Sequence, residues 1–119
     1  MNTFESKEDY LERILILSKK NEKVRSIDIA NDMSFSKPSV SVAMKKLKDL
    51  DLIVIDSNGF ISLTKSGLEV AEATYDKHLT IFNALKKIGV TDDVAYSDAC
   101  KIEHELSDES LQKLKEFVK

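Results

Sequence analysis

The sequence predicts a mainly α-helical fold that contains one small β-hairpin. Apolar residues recur at helical spacing through most of the chain, as in helices that bury one face. One proline and three glycines are the only strong helix breakers among 119 residues. Two short β-branched runs flank Asp56-Ser57-Asn58-Gly59, which is typical of a hairpin turn.

Three helices are expected before the hairpin. The first covers Glu5 to Lys20, because Tyr10, Ile14 and Leu17 recur at helical spacing. The second covers 27–33, with Ser26 as its predicted N-cap. The third covers 37–50, with Ser36 as its N-cap. Its first turn tolerates a proline, and its expected buried stripe consists of Val40, Met44 and Leu47.

Three further helices are expected after the hairpin strands at 52–55 and 60–63. A long helix runs to about Ile88, and Gly89 stops it. Thr91 is the expected cap of the next helix, which is predicted to continue to Leu106. Ser107 caps a last helix that ends near Phe117. We therefore divide the chain into a domain of residues 1–65 and a helical domain of residues 66–119.

Three short helices followed by a hairpin is the order of a winged helix-turn-helix, in which the third helix enters the DNA major groove. Hydroxyl and lysine side chains at the start of this helix can reach base edges, while later lysines can neutralise phosphates. A run of lysines alone is more often a solvated helix face. Helix order, the serine-rich helix start and the hairpin together favour binding of double-stranded DNA. The predicted DNA-contacting residues are Ser36, Lys37, Pro38, Ser39, Ser41, Lys45, Lys46, Lys48 and Asn58.

The distribution of charge supports two different roles for the two halves. The net charge is −3, which is unusual for a DNA-binding protein. Residues 1–65 carry 11 Lys/Arg and 10 Asp/Glu, whereas residues 66–119 carry 7 and 11. The first half is therefore suited to face DNA, and the acidic second half is suited to bind a cation.

Several stretches resemble the family of metal-dependent repressors that includes the diphtheria-toxin repressor and the manganese-transport regulator. The resemblance extends over essentially the whole chain. The matching segments are 5–14, 24–30, 35–41 and 61–67, and the most specific is Asp98-Ala-Cys-Lys-Ile-Glu-His-Glu-Leu-Ser107. It implies a homodimer that represses transcription from a palindromic operator, with dimerisation through the helices after the hairpin. It also implies Mn²⁺ or Fe²⁺ as corepressor, with one or two ions per subunit.

The spacing of possible ligands fits such a metal site. Cys100, Glu103 and His104 are separated by three and four positions, so they are expected on one face of one helix. Carboxylate, imidazole and thiolate groups are suitable ligands for first-row divalent ions. Carried over residue by residue, the resemblance implies the metal ligands Asp9, Glu12, His78, Cys100, Glu103 and His104. Each of them alone would more often have a structural role.

Four positions depart from the family pattern, and one of them is Asp51, which stands at the end of the recognition helix where relatives usually have Gly. Cys100 stands where manganese-type members have Glu and iron-type members have Cys, so the predicted site is a hybrid. Phe82 and Tyr96 replace a Glu and a His that iron-type members use in a separate ancillary site, which we therefore expect to be missing. Many relatives also carry a C-terminal SH3-like domain, and we expect this chain to follow the shorter manganese-type organisation.

Other functions remain open on the sequence alone. The main alternative is a winged-helix regulator that responds to a small molecule or a protein partner instead of a metal. A protein-interaction module is a further alternative. A metal-dependent hydrolase is a third, but His104-Glu105 lacks the second histidine of a zinc-protease motif, and we expect no enzyme activity.

The N-terminal composition, the apolar runs and the cysteine count predict where the protein is found and what it does not bind. The acidic N-terminus has no apolar signal-peptide core, and no apolar run is long enough to cross a bilayer. The single cysteine cannot form an internal disulfide. We therefore expect a cytoplasmic protein that associates with neither a membrane nor an organic cofactor.

Overall fold

The computed structural model describes residues 3–21 and 23–119, with side-chain surroundings from residue 7 onward except at residue 22. The side chains of the acidic N-terminus up to residue 6, including Glu5 at the expected helix start, lie outside the described residues. The chain forms two compact units, Met1–Glu72 and Ala73–Lys119. The element order confirms the predicted fold class of six helices and one hairpin. The elements are α1 Thr3–Lys20, α2 Ser26–Met33, α3 Lys37–Asp49, β1 Ile53–Ile55, β2 Ile61–Leu63, α4 Lys65–Lys87, α5 Asp92–Ile102 and α6 Asp108–Val118.

The N-terminal unit packs α1, α2, α3 and the hairpin around one apolar core. The stripe predicted for α3, formed by Val40, Met44 and Leu47, is buried. The two strands pair antiparallel with Val54 opposite Ser62. Because burial alternates along each strand, the hairpin covers the helices with one face only. The largest fully buried apolar side chains of this unit are Leu11, Ile14, Val24, Ile29, Val40, Met44, Leu47 and Ile53.

The backbone approaches closely at the junction of the hairpin with α4. The Thr64 hydroxyl donates to the Asp51 carbonyl at 2.8 Å and accepts from the Gly67 N–H at 3.1 Å. A Cβ atom at Gly67 would lie 1.9 Å from the Leu52 carbonyl oxygen. Only glycine therefore fits at this turn of α4, because any side chain would collide with rigid backbone.

Two of the predicted N-caps form the expected side-chain hydrogen bond, whereas Thr91 occupies the N-cap position of α5 without one. The Ser36 hydroxyl accepts a hydrogen bond from the Ser39 N–H, as predicted for the start of α3. Ser107 caps α6 in the same way through the Ser110 N–H. The prediction that Ser26 caps α2 is wrong, because Ser26 is already helical and residue 25 is the N-cap. At this helix start the Asp28 carboxylate accepts from the residue-25 N–H.

The C-terminal unit contains the end of α4 together with α5 and α6. Gly89 follows α4 with φ of 104°, in agreement with its predicted role as a helix stop. Ion pairs join the helices of this unit: Lys86 contacts Asp92 at 2.5 Å, and Lys115 contacts Asp76 at 2.6 Å. The buried apolar residues here are mostly small, which permits close packing of the helices. They are Ile81, Ala84, Ala95 and Ala99.

The prediction that α5 continues to Leu106 is wrong. The helix ends at Ile102, and the Glu105 N–H bonds to the Ile102 carbonyl three residues back, which tightens the turn. Glu103 and His104 therefore lie in the turn after α5 instead of on its face. The Glu103 N–H still bonds to the Ala99 carbonyl, as in a helix.

Candidate metal centre and DNA-contacting surface

The predicted DNA-contacting residues are all exposed and lie in the N-terminal unit. Eight of them belong to the N-cap and helix of α3, and the ninth, Asn58, lies in the hairpin turn. The Ser36 hydroxyl also donates to the Ser39 hydroxyl at 2.8 Å, which fixes two polar groups at the helix start. Since the apolar stripe of α3 is buried, its hydroxyl and lysine groups are presented to solvent. Exposure leaves these groups available to DNA, and their individual contacts stay predictions.

The hairpin turn is shaped by one aspartate. The Asp56 carboxylate accepts from the Asn58 N–H at 2.8 Å and from the Phe60 N–H at 2.9 Å. Gly59 follows with φ of 85°, a left-handed conformation that suits glycine. These contacts hold the turn that carries Asn58, while the Asn58 side chain stays exposed.

Four of the six predicted metal ligands come together in the C-terminal unit. The His78 Nδ1 atom lies 3.1 Å from Glu103 Oε2 and 3.9 Å from Cys100 Sγ. The other carboxylate oxygen, Oε1, lies 3.5 Å from His104 Nε2. We call these four residues the C-terminal donor cluster. The two carboxylate oxygens of Glu103 therefore contact different imidazoles.

Two members of the donor cluster are buried, and hydrogen bonds set the protonation of His78. The residues Glu103 and His78 are only 1% and 6% exposed. Hydrogen bonding to Cys100 and then to Glu103 raises the pKa of His78 to about 10, against an opposing effect of burial. Without a metal, the His78 ring therefore carries a proton at neutral pH, and this proton balances the charge of the buried carboxylate.

Two donor–donor separations in the cluster have the length expected between neighbouring ligands of one metal ion. Metal–nitrogen and metal–oxygen bonds of about 2.1 Å place neighbouring donor atoms roughly 3 to 3.5 Å apart. The His78–Glu103 and Glu103–His104 distances of 3.1 and 3.5 Å lie in this range. Nitrogen, oxygen and sulfur donors of this kind suit a first-row divalent ion. The residues present thus fit the metal that the sequence predicts.

Two aromatic rings hold the His78 ring in place. The Phe82 ring stacks at 6.5 Å between centroids with an interplanar angle of 12°. The Tyr96 ring meets His78 edge-on at 4.9 Å and 74°. Sequence analysis identified these positions only as departures from a family pattern. The spacing of Phe82 four residues after His78 on α4 was the signal that could have revealed its packing role.

The two remaining predicted ligands lie on α1 in the N-terminal unit. Asp9 is partly exposed, whereas Glu12 is buried at 6% exposure. Their spacing of three residues puts both carboxylates on one face of α1. A buried carboxylate is costly unless a cation or hydrogen bonds compensate it. Their participation in the metal site stays a prediction.

Comparison with known proteins covers nearly the whole chain. Residues 2–59 match the family model for the N-terminal DNA-binding domain of iron-dependent repressors. Residues 64–119 match the model for the metal-binding and dimerisation domain of the same repressors. Among the described residues, no helix is both long and apolar enough to span a membrane.

Relatives of known sequence carry regulator names. An HTH-type transcriptional regulator of Methanocaldococcus jannaschii is 37% identical over 116 residues, which are 96% of this chain and 93% of that protein. The transcriptional regulator MntR of Escherichia coli O6:H1 is 30% identical over 111 residues, covering 93% and 72%. The HTH-type transcriptional regulator MntR of Shouchella clausii is 31% identical over 113 residues, covering 95% and 79%.

Solved structures show the same fold. The manganese regulator SloR has a TM-score of 0.83 and 38% identity, over 94% of this chain and 53% of that chain. IdeR of T. acidophilum has a TM-score of 0.84 and 28% identity, over 92% and 52%. The chain thus spans about half the length of these solved relatives. The family models, the curated relatives and the fold agree: this chain belongs to the iron-dependent repressor family of metal-dependent transcriptional repressors, the family of the diphtheria-toxin repressor and the manganese-transport regulator.

Proposed function

We propose that this chain is a Mn²⁺- or Fe²⁺-dependent repressor that binds a palindromic operator as a homodimer and controls genes of metal homeostasis. The observation that carries the proposal is the C-terminal donor cluster of His78, Cys100, Glu103 and His104. One oxygen of the buried Glu103 carboxylate lies 3.1 Å from His78 Nδ1, the other lies 3.5 Å from His104 Nε2, and Cys100 Sγ lies 3.9 Å from His78 Nδ1. Donors of these kinds suit a first-row divalent ion.

The donor cluster supports a proton-for-metal exchange. A bound divalent ion supplies the positive charge that compensates the Glu103 carboxylate. The His78 ring gives up its proton when it becomes a ligand, because only the deprotonated nitrogen can donate electrons. The Phe82 and Tyr96 rings keep the imidazole oriented in both states. We propose that one or two ions per subunit bind in this way.

We propose that Asp9 and Glu12 complete the coordination from α1. Carboxylate oxygens favour Mn²⁺, whereas the Cys100 thiolate favours softer ions, so the donor set accommodates either candidate. A metal that requires ligands from α1 couples the DNA-binding unit to the metal-binding unit. Metal binding would then favour the arrangement that is competent to bind DNA.

The proposed homodimer is supported by exposed apolar residues in the C-terminal unit. Leu79, Ile88, Val94, Tyr96 and Phe117 are all at least 40% exposed. Large apolar surfaces of this kind commonly mark protein interfaces. Since two-fold symmetric dimers present two equivalent recognition helices, we propose an operator with two inverted half-sites.

The experiment that tests this function is a fluorescence-anisotropy titration onto DNA from the protein's own promoter region. Parallel titrations contain chelator, Mn²⁺, Zn²⁺ or, under anaerobic conditions, Fe²⁺. We expect tight binding with Mn²⁺ or Fe²⁺ and at least tenfold weaker binding with chelator, as for a typical allosteric coupling. Equal affinity with and without chelator would contradict the proposal and favour the metal-independent regulator. Sedimentation of the metal-loaded protein as a monomer would contradict the homodimer.

A further inference from the structure

Two cations outside the predicted DNA-contacting set share one aromatic ring beside the hairpin. The Arg25 guanidinium carbon lies 4.4 Å from the centroid of the Phe60 ring, and Lys23 Nζ lies 4.8 Å from it. Both distances are within the range of cation–π attraction. All three residues belong to the N-terminal unit, and we call them the Phe60 cluster.

The backbone places this cluster on the outer face of the hairpin. The Ile61 N–H donates to the Val24 carbonyl at 2.7 Å, and these two residues form an antiparallel bridge. The buried side chains of Val24 and Ile61 point to the core at 1% and 5% exposure. Because neighbours along an extended chain point to opposite faces, Lys23, Arg25 and Phe60 point outward.

Among the residues that the structure describes, no carboxylate forms an ion pair with either cation of the cluster, Lys23 or Arg25. Both nearby aspartates use their carboxylates for backbone N–H groups: Asp28 caps α2, and Asp56 holds the hairpin turn. Two exposed positive charges therefore sit on one ring, although like charges repel each other.

The position of the cluster is continuous with the expected DNA surface. Phe60 directly follows the hairpin turn that carries Asn58, and Arg25 is the N-cap of α2. In a winged helix, the helix before the recognition helix crosses the DNA backbone, and the wing contacts the neighbouring backbone. The cluster contains the N-cap of α2 and the residue that follows the hairpin turn, so it lies next to both elements.

We propose that Phe60 is a platform that presents Lys23 and Arg25 to phosphates of the DNA backbone beside the wing. The proposal rests on the DNA-contacting surface proposed above, and it adds contacts that do not depend on base sequence. The ring restricts the two long side chains before DNA binds, so they lose less conformational entropy on binding. Their mutual repulsion is relieved when a phosphate lies between them.

The test compares Lys23→Gln/Arg25→Gln with a control variant, Lys113→Gln/Lys119→Gln, which removes two exposed charges from α6 and the residue after it. Anisotropy titrations with Mn²⁺ present use promoter DNA and unrelated DNA of equal length at 50 to 200 mM salt, a range in which each phosphate contact contributes about 0.9 to the logarithmic salt slope. We expect the slope to fall by about 2 for the Lys23/Arg25 variant on both DNAs. At 50 mM salt this variant should bind DNA more weakly than the wild type, and the ratio of the two affinities should be about tenfold smaller at 200 mM salt.

A second pair of variants tests the platform itself. Phe60→Leu removes the π-face and keeps apolar bulk, and we expect severalfold weaker DNA binding with the salt slope retained, because both cations remain. Phe60→Tyr should restore the wild-type affinity. Far-UV circular dichroism and thermal unfolding check that each variant is folded. Wild-type affinity of Phe60→Leu would overturn the role of the ring.

Failure of this inference can be distinguished from failure of the proposed function. A wild-type salt slope and affinity for Lys23→Gln/Arg25→Gln would overturn the phosphate contacts, even if the wild type binds DNA only with metal. An effect on promoter DNA without an effect on unrelated DNA would also overturn them, since backbone contacts carry no sequence preference. Conversely, metal-independent binding by the wild type would overturn the metal switch and leave the slope measurement interpretable.

Discussion

The two units of this chain use polar residues in opposite ways. In the N-terminal unit, the predicted functional side chains of α3 are exposed, and the core beneath them is apolar. In the C-terminal unit, the functional groups are themselves buried, with Glu103 at 1% exposure. DNA contact requires solvated groups that a large ligand can reach. Metal coordination requires groups that are held together and shielded from water.

This contrast predicts different consequences of mutation in the two units. Removing an exposed lysine from α3 changes the free energy of DNA binding and leaves the free energy of unfolding nearly unchanged. Removing a member of the donor cluster changes both metal affinity and folding, because a buried partner charge is left uncompensated.

The largest effect is expected for Glu103→Gln. The substitution keeps the shape of the side chain but removes the negative charge that faces His78 and His104. We expect the affinity for Mn²⁺ to fall on the order of 100-fold or more, since loss of a ligand should exceed the loss seen for supporting groups. Calorimetric titration measures the change. The matched control is Glu105→Gln, an exposed carboxylate of the same turn, and an equal loss in the control would contradict the assignment.

A large effect on folding is expected for Gly67→Ala. The new Cβ would lie 1.9 Å from the Leu52 carbonyl oxygen, so backbone at the base of the hairpin must move. We expect the free energy of unfolding to fall by about 2 to 3 kcal/mol. Urea denaturation measures it, with Ser66→Ala at the neighbouring exposed position as the control. Unchanged stability of Gly67→Ala would show that the hairpin and α4 are not packed as tightly as described.

Metal binding is expected to depend on pH through His78. Because its pKa is raised to about 10, the ring must lose a proton before it can bind metal at neutral pH. At pH values below the pKa of His78, we expect deprotonation of this group to make the apparent affinity for Mn²⁺ rise about tenfold per pH unit. Each binding event should then release about one proton. Calorimetry in buffers of different ionisation enthalpy measures the protons released. Uptake of metal without proton release would contradict a protonated His78.

The same pKa fixes the sign of a stability effect in the metal-free protein. The folded-state pKa of about 10 lies above the ordinary value of 6.5. The stabilisation is therefore complete below about pH 6.5 and is lost as the pH rises through about 10. We expect the free energy of unfolding of the metal-free protein to decrease over this window. His78→Gln should flatten the decrease in denaturation curves, and an equally steep dependence in the variant would contradict the prediction.

The smallest effects are expected at two matched helix caps, one in each unit. Ser36 and Ser107 each accept a backbone N–H, at 3.3 and 3.1 Å. Replacement of either serine by alanine should cost about 1 kcal/mol in the free energy of unfolding. Only Ser36→Ala should also weaken DNA binding, by about fivefold for one lost hydrogen bond. Equal DNA binding by both variants would remove Ser36 from the DNA-contacting surface.

Local chemistry made most of the fold predictable. The periodicity of α1 and α3, the Ser36 and Ser107 caps and the Asp56–Gly59 turn each depend on neighbours within four residues. The end of α5 was not predictable, because no glycine or proline follows Ile102. The tight turn at this point accompanies the burial of Glu103 against His78, which is a contact between distant parts of the sequence. These residues are 25 positions apart in the chain.

The donor cluster was predictable as a set but not as a geometry. Spacing and resemblance identified His78, Cys100, Glu103 and His104 as candidate ligands. Spacing did not reveal that Glu103 would contact both imidazoles through different oxygens. The Phe60 cluster was missed entirely. The cluster depends on the pairing of Val24 with Ile61, which are far apart in the sequence. The residues around Val24 give no local signal for such a pair.

The central claim is that metal in the donor cluster switches DNA affinity. The most direct measurement is the ratio of operator dissociation constants with chelator and with Mn²⁺, determined side by side for the wild type and Glu103→Gln. We predict a ratio of at least about ten for the wild type, within the usual range of allosteric coupling, and a ratio near one for the variant. Equal ratios for the two proteins would contradict the claim, because the switch would then operate without the buried carboxylate at the centre of the cluster.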